Sequence, residues 1–135
     1  MDPELAEAVR LRAVHACEYC RMPQRVRRLR FQIEHVISRQ HHGGDALENL
    51  ASASGGCNRH KGPTIAGIDP DSRQLTRLFN PRADRWEDHF RWEGATIVGV
   101  TSIGRTTVDV VVMNHPEEVA VRLEMIDSGQ SPPAT

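Results

Sequence analysis

Four short motifs, in one order and within 46 residues, constrain this chain more than anything else in it. They are Cys17-x-x-Cys20, Glu34-His35, Asn49-Leu50 and Cys57-Asn58-Arg59-His60-Lys61-Gly62. Each alone is weak: a lone Glu-His pair is ordinary surface chemistry, and a lone Asn is ordinarily a turn or a cap. Taken together and in this order they are far more specific. Three cysteines would leave a disulfide framework with one thiol unpaired, so Cys17-x-x-Cys20 reads better as a metal knuckle in a reducing compartment. The 135 residues suffice for one domain with one modest core. No apolar run approaches the ~20 residues of a membrane helix. The start, Met1-Asp2-Pro3-Glu4, lacks the basic flank and apolar stretch of a secretory leader, and a cytoplasmic protein is expected.

Net charge is −1, which by itself argues against a polyanionic partner, but the charge is unevenly spread. Residues 1–20 carry −2, residues 21–62 carry +5 and residues 63–135 carry −4. The basic block holds Arg21, Arg25, Arg27, Arg28, Arg30, Arg39, Arg59 and Lys61. Such a block can contact nucleic acid although the whole chain is near neutral; a solvated arginine-rich hairpin is the plainer alternative.

Hydrophobic periodicity places these motifs on elements. Asp2, Pro3 and Glu4 form a helix start, and Leu5, Ala8, Val9 and Ala13 continue it toward His15. Alternation of Leu29, Phe31 and Ile33 with Arg28, Arg30 and Gln32 predicts a half-buried strand over 28–33 with one basic face. His41-His42-Gly43-Gly44 is a loop, and a helix opens near Cys57 and runs past Lys61. Beyond Pro63 the expectations are a turn at 69–72, a strand over 74–79, a short helix over 83–89 and strands at 90–92 and 96–100 around Glu93-Gly94. Residues 101–113 fit either a β-branched strand or a helix capped by Thr101 or Ser102; the helix is preferred. Asn114 with Glu117 opens a last helix burying Val119, Leu123 and Ile126, with Gly129 at its end and a frayed tail over 129–135.

The ordered run resembles the HNH endonuclease family, the ββα-metal nucleases. The resemblance is carried by Ile33-Glu34-His35-Val36, Gly43-Gly44, Asn49-Leu50 and Cys57-Asn58-x-x-Lys61-Gly62, with Cys17-x-x-Cys20 upstream, and it covers about residues 15–65. Gly67-Ile68-Asp69-Pro70 and Arg85-Trp86-x-x-His89-Phe90-x-Trp92 are similar to the appended half of one bacterial subgroup of such proteins. The implied fold is α+β: a ββα-metal core, an N-terminal helix, and an extension of short strands and helices over 66–128, in one domain spanning 1–128.

The chemistry can be read separately from the name. Phosphodiester hydrolysis needs an activated water and neutralisation of charge at the phosphate and the leaving oxygen. An accessible neutral imidazole takes a proton near neutral pH, and His35 lies at the end of the basic-faced strand. Glu34 and Asn58 can each offer an oxygen to a hard cation such as Mg²⁺ or Mn²⁺. The resemblance then implies roles: His35 as general base, Glu34 and Asn58 as ligands of the catalytic cation, and Asn49 as the middle asparagine that orients the histidine. Lys61, Arg59, Arg28 and Arg30 would contact phosphate, DNA in particular. Strict alternation sets Glu34 and His35 on opposite faces, so both serve one site only if the strand ends or bulges there. Otherwise Glu34 is the salt-bridge partner of a neighbouring arginine, and His35 a satisfied structural histidine.

Many relatives of this kind bind one zinc between two Cys-x-x-Cys knuckles. Here the second reads Ser54-Gly55-Gly56-Cys57, with serine where the resemblance requires cysteine. Three readings stay open: zinc on Cys17, Cys20 and Cys57 with water completing the shell, the same with His60 as fourth ligand, or a metal-free site in which the thiols pack as small apolar groups. A non-catalytic nucleic-acid-binding or regulatory protein that keeps the fold is the functional alternative to a nuclease.

Overall fold

Asp2 opens α1 (Pro3–Arg12) by accepting the Glu4 N–H at 3.0 Å, with Pro3 at the first helical position. The helix stops short of His15, because Val14 and His15 take positive φ of 55° and 53° and no α-helix continues through that region. This tight turn delivers the chain into the Cys17-Glu18-Tyr19-Cys20 knuckle, closed by a bridge between Ala16 and Pro23. The computed structural model describes residues 1–130.

The basic-faced strand begins later than expected. β1 (Gln32–His35) pairs antiparallel with β2 (Leu50–Ala53), aligning Gln32 with Ala53 and His35 with Leu50. Residues 27–31 have no facing strand. The Gln24 side chain supplies their hydrogen bonds instead: it donates to Arg27 O (3.3 Å) and Leu29 O (3.0 Å) and accepts from the Phe31 N–H (2.8 Å). Phe31 is buried, but Leu29 is 84% exposed, so the alternation read at 29, 31 and 33 does not describe one buried face. Ser54 then caps α2 (Gly55–Lys61), its hydroxyl accepting the Cys57 N–H at 3.3 Å. Gly62, at φ 49°, ends α2 immediately after Lys61. β1, β2 and α2 form a ββα unit, with α2 packed on both strands.

The second half adds the hairpin β3 (Ala66–Ile68) with β4 (Leu75–Arg77), then α3 (Trp86–His89), the hairpin β5 (Phe90–Glu93) with β6 (Thr96–Gly99), α4 (Ser102–Val111) and α5 (Pro116–Asp127). In α4 the hydroxyls of Thr106 and Thr107 donate back to Ser102 O and Ile103 O (2.8 and 2.7 Å), which accommodates the β-branched run as a helix. Thr101 caps it at Gly104 N (3.0 Å).

Two expectations for α5 are corrected. Its cap is His115, because the Asn114 side chain is already engaged with both Ile97 N (2.9 Å) and Ile97 O (2.8 Å). Its buried face carries Arg122 and Met125, while Leu123 and Ile126 are exposed. Arg122 is tolerated there because its guanidinium donates to Ala95 O (2.9 Å), Asn114 Oδ1 (3.1 Å) and Met113 O, and stacks over Trp92. At the end of α5, Gly129 at φ 85° and Gln130 return their N–H groups to Ile126 and Met125. Residues 131–135 of the expected tail lie outside the described residues.

The two halves share one set of buried side chains, in which Tyr19, Phe31 and Cys57 pack with Phe79, Trp86, Phe90 and Met125. Polar ties cross the same boundary: Trp86 Nε1 donates to Tyr19 O (2.7 Å), and Arg82 pairs with Glu18, whose other oxygen accepts from Ser52 N (2.9 Å). No helix among the described residues is long and apolar enough to cross a membrane.

Candidate active site and metal centre

Alternation along β1 sends Glu34 and His35 in opposite directions, and no bulge intervenes: Glu34 pairs with Ala51 and His35 with Leu50 in unbroken register. Glu34 therefore turns into the protein. It is 5% exposed, accepts from the Tyr19 hydroxyl, and lies 3.5 Å from Lys61 Nζ. Burial pushes the Glu34 carboxyl up despite the opposing pull of Lys61 and Tyr19. Glu34 also lines the depression that His35 lines, with its carboxyl engaged by Tyr19 and Lys61. The salt-bridge alternative describes it, with Lys61 as partner where an arginine was expected.

Lys61 is corrected with it. At 2% exposed, its ammonium donates to Val36 O at 3.0 Å, so it braces the end of β1 from inside and is out of reach of a phosphate. Arg28, Arg30 and Arg59 are exposed, and Arg28 and Arg59 line one groove of about 470 Å³ along Gly55 and Gly56.

His35 faces out. It lines a depression of about 270 Å³ with Glu34, Ser38, Arg39 and Asn58. The Asn58 side chain makes no hydrogen bond among the described residues, and Ser38 Oγ is buried without one. Asn58 thus keeps a free polar side chain at the depression, while Ser38 Oγ is closed off from solvent. Asn58 and Arg59 are neighbours on α2, so the depression and the arginine groove meet at that helix. A ring nitrogen of His35, Nε2, lies 2.7 Å from Asp45 Oδ1, and Nδ1 has no protein partner among the described residues. Asn49 is bound to the loop that follows His35, through Ile37 and Gly44. His41 and His42 are exposed on that loop, outside this depression.

Sequence reasoning missed Asp45, Ser38, Arg39 and Tyr19. Asp45 had a signal: it is the acid in the loop that joins the proposed base to Asn49. Tyr19 had none, since its role depends on the knuckle folding against β1.

The second constellation is the thiol cluster. Cys17, Cys20 and Cys57 are buried, and their sulfurs lie within 4.8 Å of one another. Burial works against ionisation of Cys17, but hydrogen bonds from Cys20 and Cys57 outweigh it and hold that thiol well below its usual range. Cys20 is pushed up to about 12 by sharing its proton with Cys17. Cys57 rises for the same reason. Three buried thiols so close together are a donor set that fits a soft cation. The Ser54 hydroxyl sits 3.8 Å from Cys20 Sγ but is already engaged in capping α2. His60 does not join the cluster: its Nδ1 contacts Gly56 O at 2.8 Å and its ring stacks on His115.

Residues 17–64 match the family model described as HNH endonuclease. No curated protein and no solved structure gives a significant match.

Proposed function

We propose, from the match of residues 17–64 to the HNH endonuclease family model, that this chain cleaves DNA as an endonuclease that depends on a divalent cation, with His35 as general base. The observation that carries the reading is the outward His35, with Nδ1 unengaged, in one depression with Asn58, Ser38 and Arg39. In this reading Nδ1 takes a proton from water, the water oxygen bonds to phosphorus, and the bond from phosphorus to the leaving oxygen breaks. Arg39 meets the phosphate oxygens, while Arg28, Arg30 and Arg59 hold the flanking backbone. A cation such as Mg²⁺ or Mn²⁺ would supply charge neutralisation at the phosphate and the leaving oxygen. The free amide oxygen of Asn58 fits it as a donor, and Glu34 lines the same depression with its carboxyl shared with Tyr19 and Lys61. The test is a supercoiled plasmid incubated with the purified chain and Mg²⁺ or Mn²⁺. Nicking that EDTA stops is expected. Salt-sensitive binding without cleavage under any divalent metal would instead describe a binding module.

We read the three thiols as a structural zinc site lacking one protein ligand. Elemental analysis of protein purified without chelator is expected to return one zinc per chain, and none after Cys20→Ala. Ser54→Cys completes a tetrathiolate set and should slow the loss of zinc to a competing chelator. Metal-free parent protein that keeps its melting temperature would end this reading.

A further inference from the structure

The carboxylate that meets His35 is not its neighbour in sequence. Asp45 Oδ1 lies 2.7 Å from His35 Nε2, and the same oxygen accepts from Arg39 at 3.0 Å. These two contacts, His35 first, hold the Asp45 carboxyl below its usual range. An ionised carboxylate can only accept hydrogen bonds, so the proton in the contact with His35 belongs to Nε2. A neutral imidazole carries one N–H, and Nδ1 is then left with its lone pair.

The position of Asp45 is built, although its side chain is 62% exposed. The loop between His35 and Asp45 is fastened by Asn49, whose Oδ1 accepts from Ile37 N (2.9 Å) and whose Nδ2 donates to Ile37 O (2.9 Å) and Gly44 O (2.8 Å). Gly43 crosses so near Ile37 that a Cβ there would lie 1.6 Å from the Ile37 carbonyl oxygen. Only glycine permits that crossing. Asn49 thus ties the residue before Asp45 to the residues just past His35, and this tie fixes the distance between acid and imidazole.

We propose that Asp45 is the positioning residue of the base: it holds His35 as the Nε2–H tautomer, leaving Nδ1 to receive the proton of the attacking water, and Asn49 acts on His35 through it. This rests on the nuclease reading for its catalytic consequence only. When the O–H bond of water breaks and its proton passes to Nδ1, the imidazole becomes a cation. The Asp45 carboxylate contacts that ring directly, while the Glu34 carboxylate is engaged by Tyr19 and Lys61.

Two measurements on the full chain test it. Long-range ¹H–¹⁵N correlation of the histidine rings, with His35→Ala to assign the signals, should show the neutral ring of the parent as Nε2–H. Asp45→Ala should release it to a mixture of tautomers. Asp45→Glu should restore it in part, and Arg39→Ala should leave it unchanged. In plasmid nicking, Asp45→Ala should lower turnover by about 10- to 100-fold at unchanged DNA affinity. That is short of the ~10⁴-fold effect of a buried orienting carboxylate, because Asp45 is open to water. An unchanged tautomer in Asp45→Ala overturns the proposal, whether turnover falls or not. If the parent does not nick DNA, the nuclease reading fails by itself, and the ring spectra still decide whether Asp45 sets the tautomer.

Discussion

His35→Ala is expected to lower the rate of plasmid nicking by about 10²- to 10⁴-fold while DNA affinity and fold stay as they are. The size follows from what the imidazole does in this reading. It is the outward group able to take a proton in the depression it shares with Ser38, Arg39 and Asn58, and bulk water is a poor replacement near neutral pH. Stability should survive because the ring supports little else. Its hydrogen-bond partner is Asp45, which keeps Arg39 and solvent when the ring is removed, so no buried group is orphaned. Loss of this partly buried side chain, 20% exposed, costs on the order of 1 kcal/mol. The measurement is a single-turnover nicking rate beside a fluorescence anisotropy titration and a melting curve. Added imidazole should recover part of the rate, since a small base can occupy the space the ring leaves. A His35→Ala protein that nicks like the parent would remove the base from the mechanism. One that binds DNA less tightly but turns over normally would mark His35 as a contact residue.

What the sequence disclosed and what it withheld divide along a physical line. The order of elements around the site was legible because local chemistry sets it: Asp2 and Pro3 start α1, Thr101 caps α4, and Gly94 turns β5 into β6. The opposite directions of Glu34 and His35 were legible as the consequence of strand alternation, but not which of them turns inward. The pairing of side chains across the fold was not legible. Lys61 reads as a phosphate contact from its place beside Arg59 and Gly62, yet it ends inside because Glu34 and the Val36 carbonyl lie beneath that turn of α2. Arg122 reads as the polar side of α5, yet Ala95, Met113 and Asn114 offer it three oxygens. In both cases a cation follows acceptors contributed by distant segments, and periodicity carries no record of those. The strand expected over 28–33 failed for a similar reason. Its alternation was present, but the partner segment at 50–53 reaches only as far as Gln32.

The largest effect on stability is expected at Lys61. Its ammonium, 2% exposed, neutralises the buried Glu34 and holds Val36 O at 3.0 Å, one residue past His35. Lys61→Ala would leave Glu34 charged, buried and supported by Tyr19 alone, and would open space under β1. Breaking one side of a buried pair costs about 3–5 kcal/mol, a large part of the stability of a domain this size. Replacing both members should cost less: Glu34→Gln with Lys61→Met removes both charges and keeps the volume. Urea unfolding of the parent, both single variants and the double variant therefore gives a cycle in which the double variant is more stable than the two single losses summed. The pH dependence has a definite sign. Burial raises the Glu34 carboxyl in the folded chain, so the native state binds that proton more tightly than the unfolded state. Its contribution is complete below the unfolded carboxyl value of about 4.3 and is lost as pH rises through the raised native value. The parent should accordingly lose stability relative to Glu34→Gln as pH climbs through that window, opposite to an acid in an exposed ion pair. An additive cycle, or a parent that gains on Glu34→Gln with rising pH, would mean that Glu34 and Lys61 are not coupled and that β1 is held in place by packing alone.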